Sequence, residues 1–314
     1  MSQRQIPPAA WAQLLLLALI WGGSFPGNRV AVHAFGVAPT VALRVGIGAL
    51  VMWSVVAARG LPLPRAPRVW ASFLLMGFFN SALPFALIVW GQTRIDSGLA
   101  AILNTSTAIL GVTVAAIAFR DERLGLRKAA GVALGVFGVS VTLGLHRLAA
   151  FDPASIGQLA VLGAALSYAF GGVIARLAST GTAPEVSAAG MLTGATVFAL
   201  PAALIGGTAG SLPGTGGFAG AGPVDWFAVC YLGAVATGLA YLLYFRLIAL
   251  AGVGNTSLVT LMVAPISILL GALFFGEALP ARAFAGFALI AAGLVTIDGR
   301  LLRRKPRDVA QMAR

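Results

Sequence analysis

The chain is a succession of long apolar segments, separated by short stretches that hold its charges, prolines and glycine clusters. Segments such as AWAQLLLLALIW are apolar all round and lack the alternation of apolar and polar positions that a membrane β-strand shows. A helix needs about 20 residues to cross a hydrocarbon core about 30 Å thick. The pattern therefore predicts an all-α membrane protein with ten transmembrane helices. We call them spans one to ten in chain order, near residues 11–32, 38–58, 69–92, 96–119, 126–145, 154–176, 184–206, 224–249, 252–275 and 281–299.

Composition agrees with this class, since 59% of the residues are hydrophobic, 10% are charged and the mean hydropathy is +0.94. With the N-terminus inside, 16 of the 21 basic residues fall on the inner side of the ten spans and only 4 on the outer side. This asymmetry predicts an inner-membrane protein with both termini in the cytoplasm. The basic tail RLLRRKPR follows a spanning helix, so we expect it to lie on anionic lipid rather than on nucleic acid.

The chain contains an internal repeat that appears when the sequence is shifted by 155 residues. Segment 119–144 then aligns with 274–299, and the matches include the pairs Glu122 with Glu277, Gly131 with Gly286, Gly138 with Gly293 and Gly144 with Gly299. Each repeat holds five spans, an odd number, so the second enters the membrane inverted relative to the first. We therefore predict two inverted five-helix units, at residues 1–148 and 149–314, which is an arrangement typical of alternating-access transporters.

Span one carries helix breakers in the stretch IWGGSFPGNR, residues 20–29. Pro26 has no amide hydrogen and crowds the carbonyl of Gly22, so we predict a kink there. The alternative interpretation is that Gly22 and Gly23 only permit close helix contact. Trp21, Ser24 and Asn28 share one helical face around this point, which favours a kink that lines a cavity.

Two further prolines occupy comparable mid-span positions. Pro84 in span three frees the carbonyl of Asn80, and Pro265 in span nine frees that of Leu261. A carbonyl freed inside a membrane must find a partner in the protein or in a watery cavity. We therefore predict hinges or kinks at these prolines as well as in span one.

Polar and aromatic side chains recur at helical spacing in several spans. Because unpartnered polar groups are costly in a membrane, we expect them to face the bundle interior, either as a substrate cavity or as simple interhelical hydrogen bonds. Tyrosines and tryptophans near span ends have the further alternative of an interface belt. We expect spans one, three, four, six, eight and nine to line such a cavity. The candidate cavity residues lie on the first five of these spans: Trp21, Ser24, Asn28, Phe79, Asn80, Asn104, Thr107, Tyr168, Thr237, Tyr241 and Tyr244.

Arg44 lies inside span two. Its side chain either snorkels to the outer surface, makes a structural hydrogen bond or contacts substrate carboxylates. Glu122 and Glu277 sit at helix ends beside basic residues or prolines, where we expect them to fix loops. All nine acidic residues fall in loops or at span ends, so no proton relay or cation site is evident in mid-membrane. This absence favours transport driven by the substrate's own gradient.

Several segments resemble a known family: IWGGSFPGNRVAV in span one, PTVALR opening span two, the ends FRDERL and FFGEAL, and the doubled five-helix unit. The chain resembles the EamA branch of the drug/metabolite transporter superfamily over about residues 11–300, and within it amino-acid exporters of the YddG type. The resemblance implies export of amino acids, with cations, drugs or other metabolites as the alternative substrates. It implies a small-molecule substrate and no cofactor.

Other function classes find little support in the sequence. No HExxH is present, GGSFP departs from the GxSxG of serine hydrolases, and no Walker motif occurs, so we expect neither an enzyme nor a directly ATP-driven pump. No metal site is indicated, and the lone Cys230 cannot form an intramolecular disulfide. A non-transporting membrane subunit remains an alternative and predicts a packed interior. We expect a monomer or a weak dimer in the bilayer.

Overall fold

The structure is a computed structural model of the 314-residue chain and describes residues 6–95, 97–179, 181–206, 217–275 and 280–298. Within these ranges it is entirely helical, without a strand. Ten helices are long and apolar enough to cross a membrane, which confirms the predicted all-α membrane fold. Spans one to ten are Pro8–Phe35, Val37–Ala58, Pro67–Gln92, Leu99–Ala118, Leu126–Leu143, Ile156–Ala178, Pro184–Ile205, Pro223–Ala251, Val253–Leu270 and Ala281–Asp298.

The residues outside these ranges include 207–216 of the loop between spans seven and eight, Glu277, and the tail from residue 299. The described end of that loop, 217–222, begins with a short helix, Gly217–Gly220. The ring of Phe218 lies 5.3 Å from that of Phe35 at the end of span one. This end of the loop is therefore attached to the bundle by an aromatic contact.

Five spans depart from regular α-helix near their middle or start, and among them span four is divided into Ser97–Asn104 and Ser106–Ala118. Span one is divided into Pro8–Gly22 and Ser24–Phe35. Spans three and eight contain π-helical segments, Phe78–Ala82 and Tyr231–Leu239. Shifted by the repeat offset of 155, the first of these segments falls within the second, so the irregularity recurs in both halves. Span nine begins with a separate turn of helix, Val253–Thr256. Such π-helical segments inside α-helices often occur at functional sites.

The break in span one combines both interpretations of its glycines. The helix is interrupted at Gly23, as the kink hypothesis predicts. A Cβ on Gly22 would lie 2.8 Å from the Ile266 side chain, and one on Gly23 would lie 2.5 Å from the Tyr231 hydroxyl. The glycines therefore also allow the close packing of span one against spans eight and nine.

The two other prolines differ from each other. The carbonyl of Asn80, which Pro84 deprives of its helical donor, accepts a hydrogen bond from the Tyr241 hydroxyl of span eight at 2.5 Å. Ser81 donates in turn to that hydroxyl at 3.0 Å. A side chain of the other half thus satisfies the carbonyl that proline frees in span three. Pro265, by contrast, lies inside a helix that continues from Val259 to Phe275, so its role as a hinge stays a prediction.

Spans five and ten cross through glycines that the repeat places in register. A Cβ on Gly131 would lie 2.7 Å from the carbonyl oxygen of Gly293, and one on Gly138 would lie 2.9 Å from that of Gly286. Gly131 corresponds to Gly286 in the repeat, and Gly138 to Gly293. Each glycine therefore meets the equivalent of the other, which is the reciprocal contact that a twofold axis produces.

The remaining spans follow the same twofold relation. Span two packs along its equivalent, span seven, whereas span one packs against spans eight and nine and span six packs against spans three and four. Each half therefore inserts its first helix between two helices of the other half. Spans one, three, four, six, eight and nine meet in the centre of the bundle, where the candidate site lies.

Candidate substrate cavity

A cavity of about 110 Å³ lies between the two repeats. All six spans that we expected to line it do so, and span two contributes Arg44 as well. Since about 10–15 Å³ of such volume holds one water molecule, the cavity holds on the order of ten waters or a small metabolite. Its presence in the described residues disfavours the alternative of a fully packed interior.

Most of the predicted residues line this cavity. The polar ones are Ser24, Asn28, Asn80, Asn104 and Thr107, and the aromatic ones are Trp21, Tyr168, Tyr241 and Tyr244. Three of the polar atoms, Ser24 Oγ, Asn104 Oδ1 and Thr107 Oγ1, are buried without a hydrogen-bond partner among the described residues. Buried polar atoms are rarely left unpaired in native proteins. These oxygens are therefore available to a ligand or to water.

The aromatic side chains form one wall on spans one and eight. The Trp21 ring lies 6.3 Å from that of Tyr241 and 6.2 Å from that of Tyr244. The indole N–H of Trp21 donates to the carbonyl oxygen of Ala236, in the π-helical segment of span eight, at 3.0 Å. On the other side of the cavity, the ring of Tyr168 packs 6.5 Å from Phe85. The wall is thus apolar but fixed by polar contacts at its edges.

Two of the predicted cavity residues lie outside the cavity wall, which corrects their placement. Thr237 is fully buried behind Arg44 and accepts a hydrogen bond from its Nε at 2.8 Å. The Phe79 ring packs on that of Phe78, and the Phe79 carbonyl accepts from the Ser167 hydroxyl. Both residues lie in π-helical segments, where the turns shift the faces that α-helical spacing assigns to a residue such as Thr237.

Arg44 does not snorkel to the surface. The residue is only 4% exposed and lines the cavity, where its guanidinium lies 3.9 Å from the centre of the Phe85 ring. Besides Thr237, it donates from Nη1 to Asn28 Oδ1 at 3.2 Å and from Nη2 to the Ala236 carbonyl at 3.5 Å. All its acceptors are neutral, and no acidic side chain of the described chain lines the cavity.

The sequence analysis did not single out the hydroxyl groups of span nine that line the cavity, Thr256, Ser257 and Thr260. Each donates to a backbone carbonyl three or four residues earlier, at 2.7 to 2.9 Å. These bonds lie at the end of the separate turn that opens span nine. The sequence feature that could have indicated these residues is the cluster of hydroxyl side chains that directly follows the glycine-containing stretch GVGN, residues 252–255.

One end of the bundle carries the turns at 59–66 and 119–125 and the start of span seven, and we call it the basic end. It holds the ion pairs Arg59–Glu185, Arg246–Glu185, Arg176–Asp121 and Arg176–Glu122. Glu122 accepts from Arg176 of span six and from the backbone N–H groups of Val253 and Gly254 at the start of span nine, at 2.8 and 2.6 Å. This confirms that Glu122 fixes a loop. Its carboxylate joins three elements at the basic end.

A second acidic residue acts in the same way at this end. Glu185, at the start of span seven, pairs with Arg59 and, at 3.2 Å, with Arg246. Three of the polypeptide segments that cross the basic end are therefore held by one carboxylate. These charge pairs lie outside the cavity wall, whose one charged residue among those described is Arg44.

Comparison with known proteins decides the family. The model of the EamA-like transporter family matches residues 9–144 and again 155–297, once for each repeat. The chain belongs to the EamA-like transporter family. It is therefore a multi-pass membrane transporter.

Three similar proteins match this chain over most of its length. A probable terminal-alkyne amino-acid exporter of Streptantibioticus cattleyicolor is 27% identical over 304 residues, covering 96% of this chain and 97% of its own. A probable amino-acid metabolite efflux pump of Escherichia coli is 27% identical over 289 residues, covering 89% and 91%. A solved crystal structure superposes with a TM-score of 0.76 at 21% identity, covering 95% of this chain and 99% of that one, which shows a shared fold.

Proposed function

We propose that this EamA-family transporter exports amino acids, neutral and aromatic ones included, across the cell inner membrane by alternating access. The observation that carries the proposal is the cavity between the two repeats, which combines an aromatic wall with unpartnered buried oxygens. The printed names of two relatives, both amino-acid exporters or efflux pumps of similar length, support the substrate class and the direction.

The unpartnered oxygens suit an α-ammonium group. An ammonium carries three hydrogen-bond donors, and Ser24 Oγ, Asn104 Oδ1 and Thr107 Oγ1 offer acceptors in the same cavity without a negative charge. The rings of Trp21 and Tyr244 provide apolar surface for a side chain of variable shape. A site of this kind binds through a few fixed polar contacts and tolerates variation elsewhere, which supports broad specificity.

The alternative of a cationic drug as substrate is disfavoured by the charge of the cavity. Arg44 places a positive charge in its wall, and no carboxylate of the described chain lines it. In a low-dielectric interior, two like charges repel strongly at short distance. An amino acid, with no net charge, avoids this cost.

The same absence of acidic residues supports facilitative transport. Proton-coupled carriers commonly use carboxylates within their spans, whereas the described acidic residues here lie at span ends or in loops. We propose that the basic end faces the cytoplasm and that its ion pairs close the cavity on that side. Opening then requires spans six, seven and nine to separate there, with the break in span one and the π-helical segments of spans three and eight as flexible points.

Uptake into proteoliposomes that hold the purified protein tests this proposal. Radiolabelled phenylalanine, leucine, lysine, glutamate and the cation tetraphenylphosphonium are compared, each with and without a pH gradient, against liposomes without protein. Saturable uptake of several neutral amino acids that needs no pH gradient is the expected result. Uptake only with the gradient contradicts facilitative transport, and uptake of tetraphenylphosphonium but of no amino acid contradicts the substrate class.

A further inference from the structure

Arg44 combines deep burial, access to the cavity and a lack of any acidic partner among the described residues. We propose that Arg44 is the residue that binds the carboxylate of the transported molecule, so that a free carboxylate is required of every substrate. This inference rests on the proposed function for its choice of an amino acid, and it extends that function to a named residue and a selection rule.

The donor count of Arg44 leaves room for a ligand. A guanidinium has five N–H donors, one on Nε and two on each terminal nitrogen. Three are used, by Thr237, Asn28 and the Ala236 carbonyl. At least one N–H on each of Nη1 and Nη2 therefore has no acceptor among the described residues. Two N–H groups on neighbouring nitrogens form the fork that binds both oxygens of a carboxylate.

The positive charge of Arg44 is also only partly compensated by the protein. Taking a cation out of water costs several kcal/mol unless an anion or many hydrogen bonds compensate. Here the compensation comes from two neutral side chains, a distant carbonyl and the face of Phe85. A carboxylate that enters the cavity supplies the missing opposite charge. Binding is then strongest for molecules that carry that charge.

The surroundings also fix the orientation of the group. Phe85 covers one face of the guanidinium, Thr237 of span eight holds Nε, and Asn28 of span one holds Nη1. These three are positioning residues, because they contact Arg44 rather than the ligand's carboxylate. They come from both repeats, so the carboxylate site exists only while the first half and span eight keep their present packing. Movement of the repeats would therefore change affinity, as alternating access requires.

The competing explanation is that Arg44 only ties span two to spans one and eight. The two explanations differ in what happens when the ligand, rather than the protein, is altered. A structural arginine is indifferent to whether the ligand has a carboxylate. If Arg44 binds the carboxylate, removing the carboxylate from the ligand lowers affinity only while the arginine is present, and removing the arginine lowers affinity only for ligands that have a carboxylate.

The test uses the full-length protein in proteoliposomes, with inhibition of phenylalanine uptake as the readout. The competitors are unlabelled phenylalanine, its amide, phenethylamine and 3-phenylpropionate, of which the amide and the amine lack the carboxylate. We expect both to inhibit at least about tenfold more weakly than phenylalanine, since charge-assisted hydrogen bonds are lost. For the Arg44→Gln variant, binding of both ligands is measured at high ligand concentration. We expect phenylalanine and its amide to bind this variant with equal affinity.

A matched control and a stability measurement separate this effect from misfolding. Arg29→Gln removes the same charge from an exposed position one residue from Asn28, and it should retain the preference for phenylalanine over its amide. Arg44→Lys keeps the charge but loses the fork, so it should retain part of the preference. Thermal unfolding of each variant in detergent shows whether it is folded.

The outcomes distinguish failure of the inference from failure of the proposed function. If the wild type transports amino acids but the amide competes equally well, or if Arg44→Gln keeps the preference, Arg44 does not bind the carboxylate and only the inference fails. If no amino acid is transported but 3-phenylpropionate is, in a manner that depends on Arg44, the amino-acid assignment fails and the carboxylate site stands. If neither is transported, both fail.

Discussion

Two arginines of this transporter each lie over a phenylalanine ring, but one is paired with acidic side chains and the other is not. Arg44 in the cavity and Arg176 at the basic end each lie about 4 Å from the centre of a phenylalanine ring, at 3.9 and 4.1 Å respectively. Arg176 also pairs with Asp121, at 2.8 Å, and with Glu122. Arg44 has only neutral acceptors among the described residues.

The difference separates a structural cation from one that is open to a ligand. At the basic end, Glu122 satisfies Arg176 and the first N–H groups of span nine together, so the charges are balanced within the protein. In the cavity the protein positions a guanidinium but leaves its charge uncompensated. A buried ion without its partner is destabilising, and such a cost is common at sites that a ligand completes.

The largest effect on stability is expected from removing an acidic partner of Arg176. Glu122→Gln removes the negative charge that faces Arg176 and the N-terminus of span nine, and we expect it to lower the free energy of unfolding by about 3 kcal/mol. Asp121→Asn is the matched control, because the Asp121 side chain is 48% exposed and its pair should be worth less than about 1 kcal/mol. Thermal and denaturant unfolding in detergent measure both. Equal stability of the two variants would contradict the distinction.

The next largest effect, on substrate affinity, is expected from giving Arg44 an acidic partner like those of Arg176. Asn28→Asp keeps the shape of the side chain but places a carboxylate where Nη1 now has a neutral acceptor 3.2 Å away. We expect a folded and more stable protein that binds amino acids at least about tenfold more weakly, since Arg44 is already neutralised. Asn28→Leu removes the acceptor without adding charge and should weaken binding less. Undiminished affinity in Asn28→Asp would show that Arg44 is not the ligand's partner.

A smaller effect tests the neutral contacts that support the cavity. Tyr241→Phe removes the donor of the Asn80 carbonyl, and we expect a loss of about 1–2 kcal/mol in the free energy of unfolding. Ser81→Ala leaves that bond intact and should cost less. Thermal unfolding of both variants checks the order. A reversed order would mean that the carbonyl freed by Pro84 does not depend on Tyr241.

The smallest effect is expected at the rim of the basic end. The Arg246 side chain is 44% exposed to solvent. Its partner Glu185 lies 3.2 Å away and also pairs with Arg59. Arg246→Gln should therefore change the free energy of unfolding by less than about 1 kcal/mol and leave substrate affinity unchanged. Unfolding and uptake assays measure the two quantities. A tenfold change in affinity would mean that the rim communicates with the cavity.

The site was partly predictable because its chemistry follows helical spacing and local helix breakers. Trp21, Ser24 and Asn28 share a face by the α-helical period, and the cavity wall includes all three. The α-helical period placed Thr237 on the same face as Tyr241 and Tyr244, but it assumes a regular helix where span eight contains a π-helical segment, and Thr237 lies behind Arg44 instead. The π-helical segment of span eight contains no proline, so the helix breakers that indicated an irregularity in span three gave no indication of this one.

What the sequence determined by itself was local or repeated: ten spans, two inverted units, the glycines of spans five and ten, and an Asn80 carbonyl in need of a donor. Only the tertiary structure decided which groups of different halves meet. Tyr241 supplies that donor, and Arg44 turns inward to Thr237 rather than outward to the surface. The reason is physical: hydrophobic period and missing amide hydrogens act within one helix, whereas a partner some 160 residues away is chosen by how the two repeats pack.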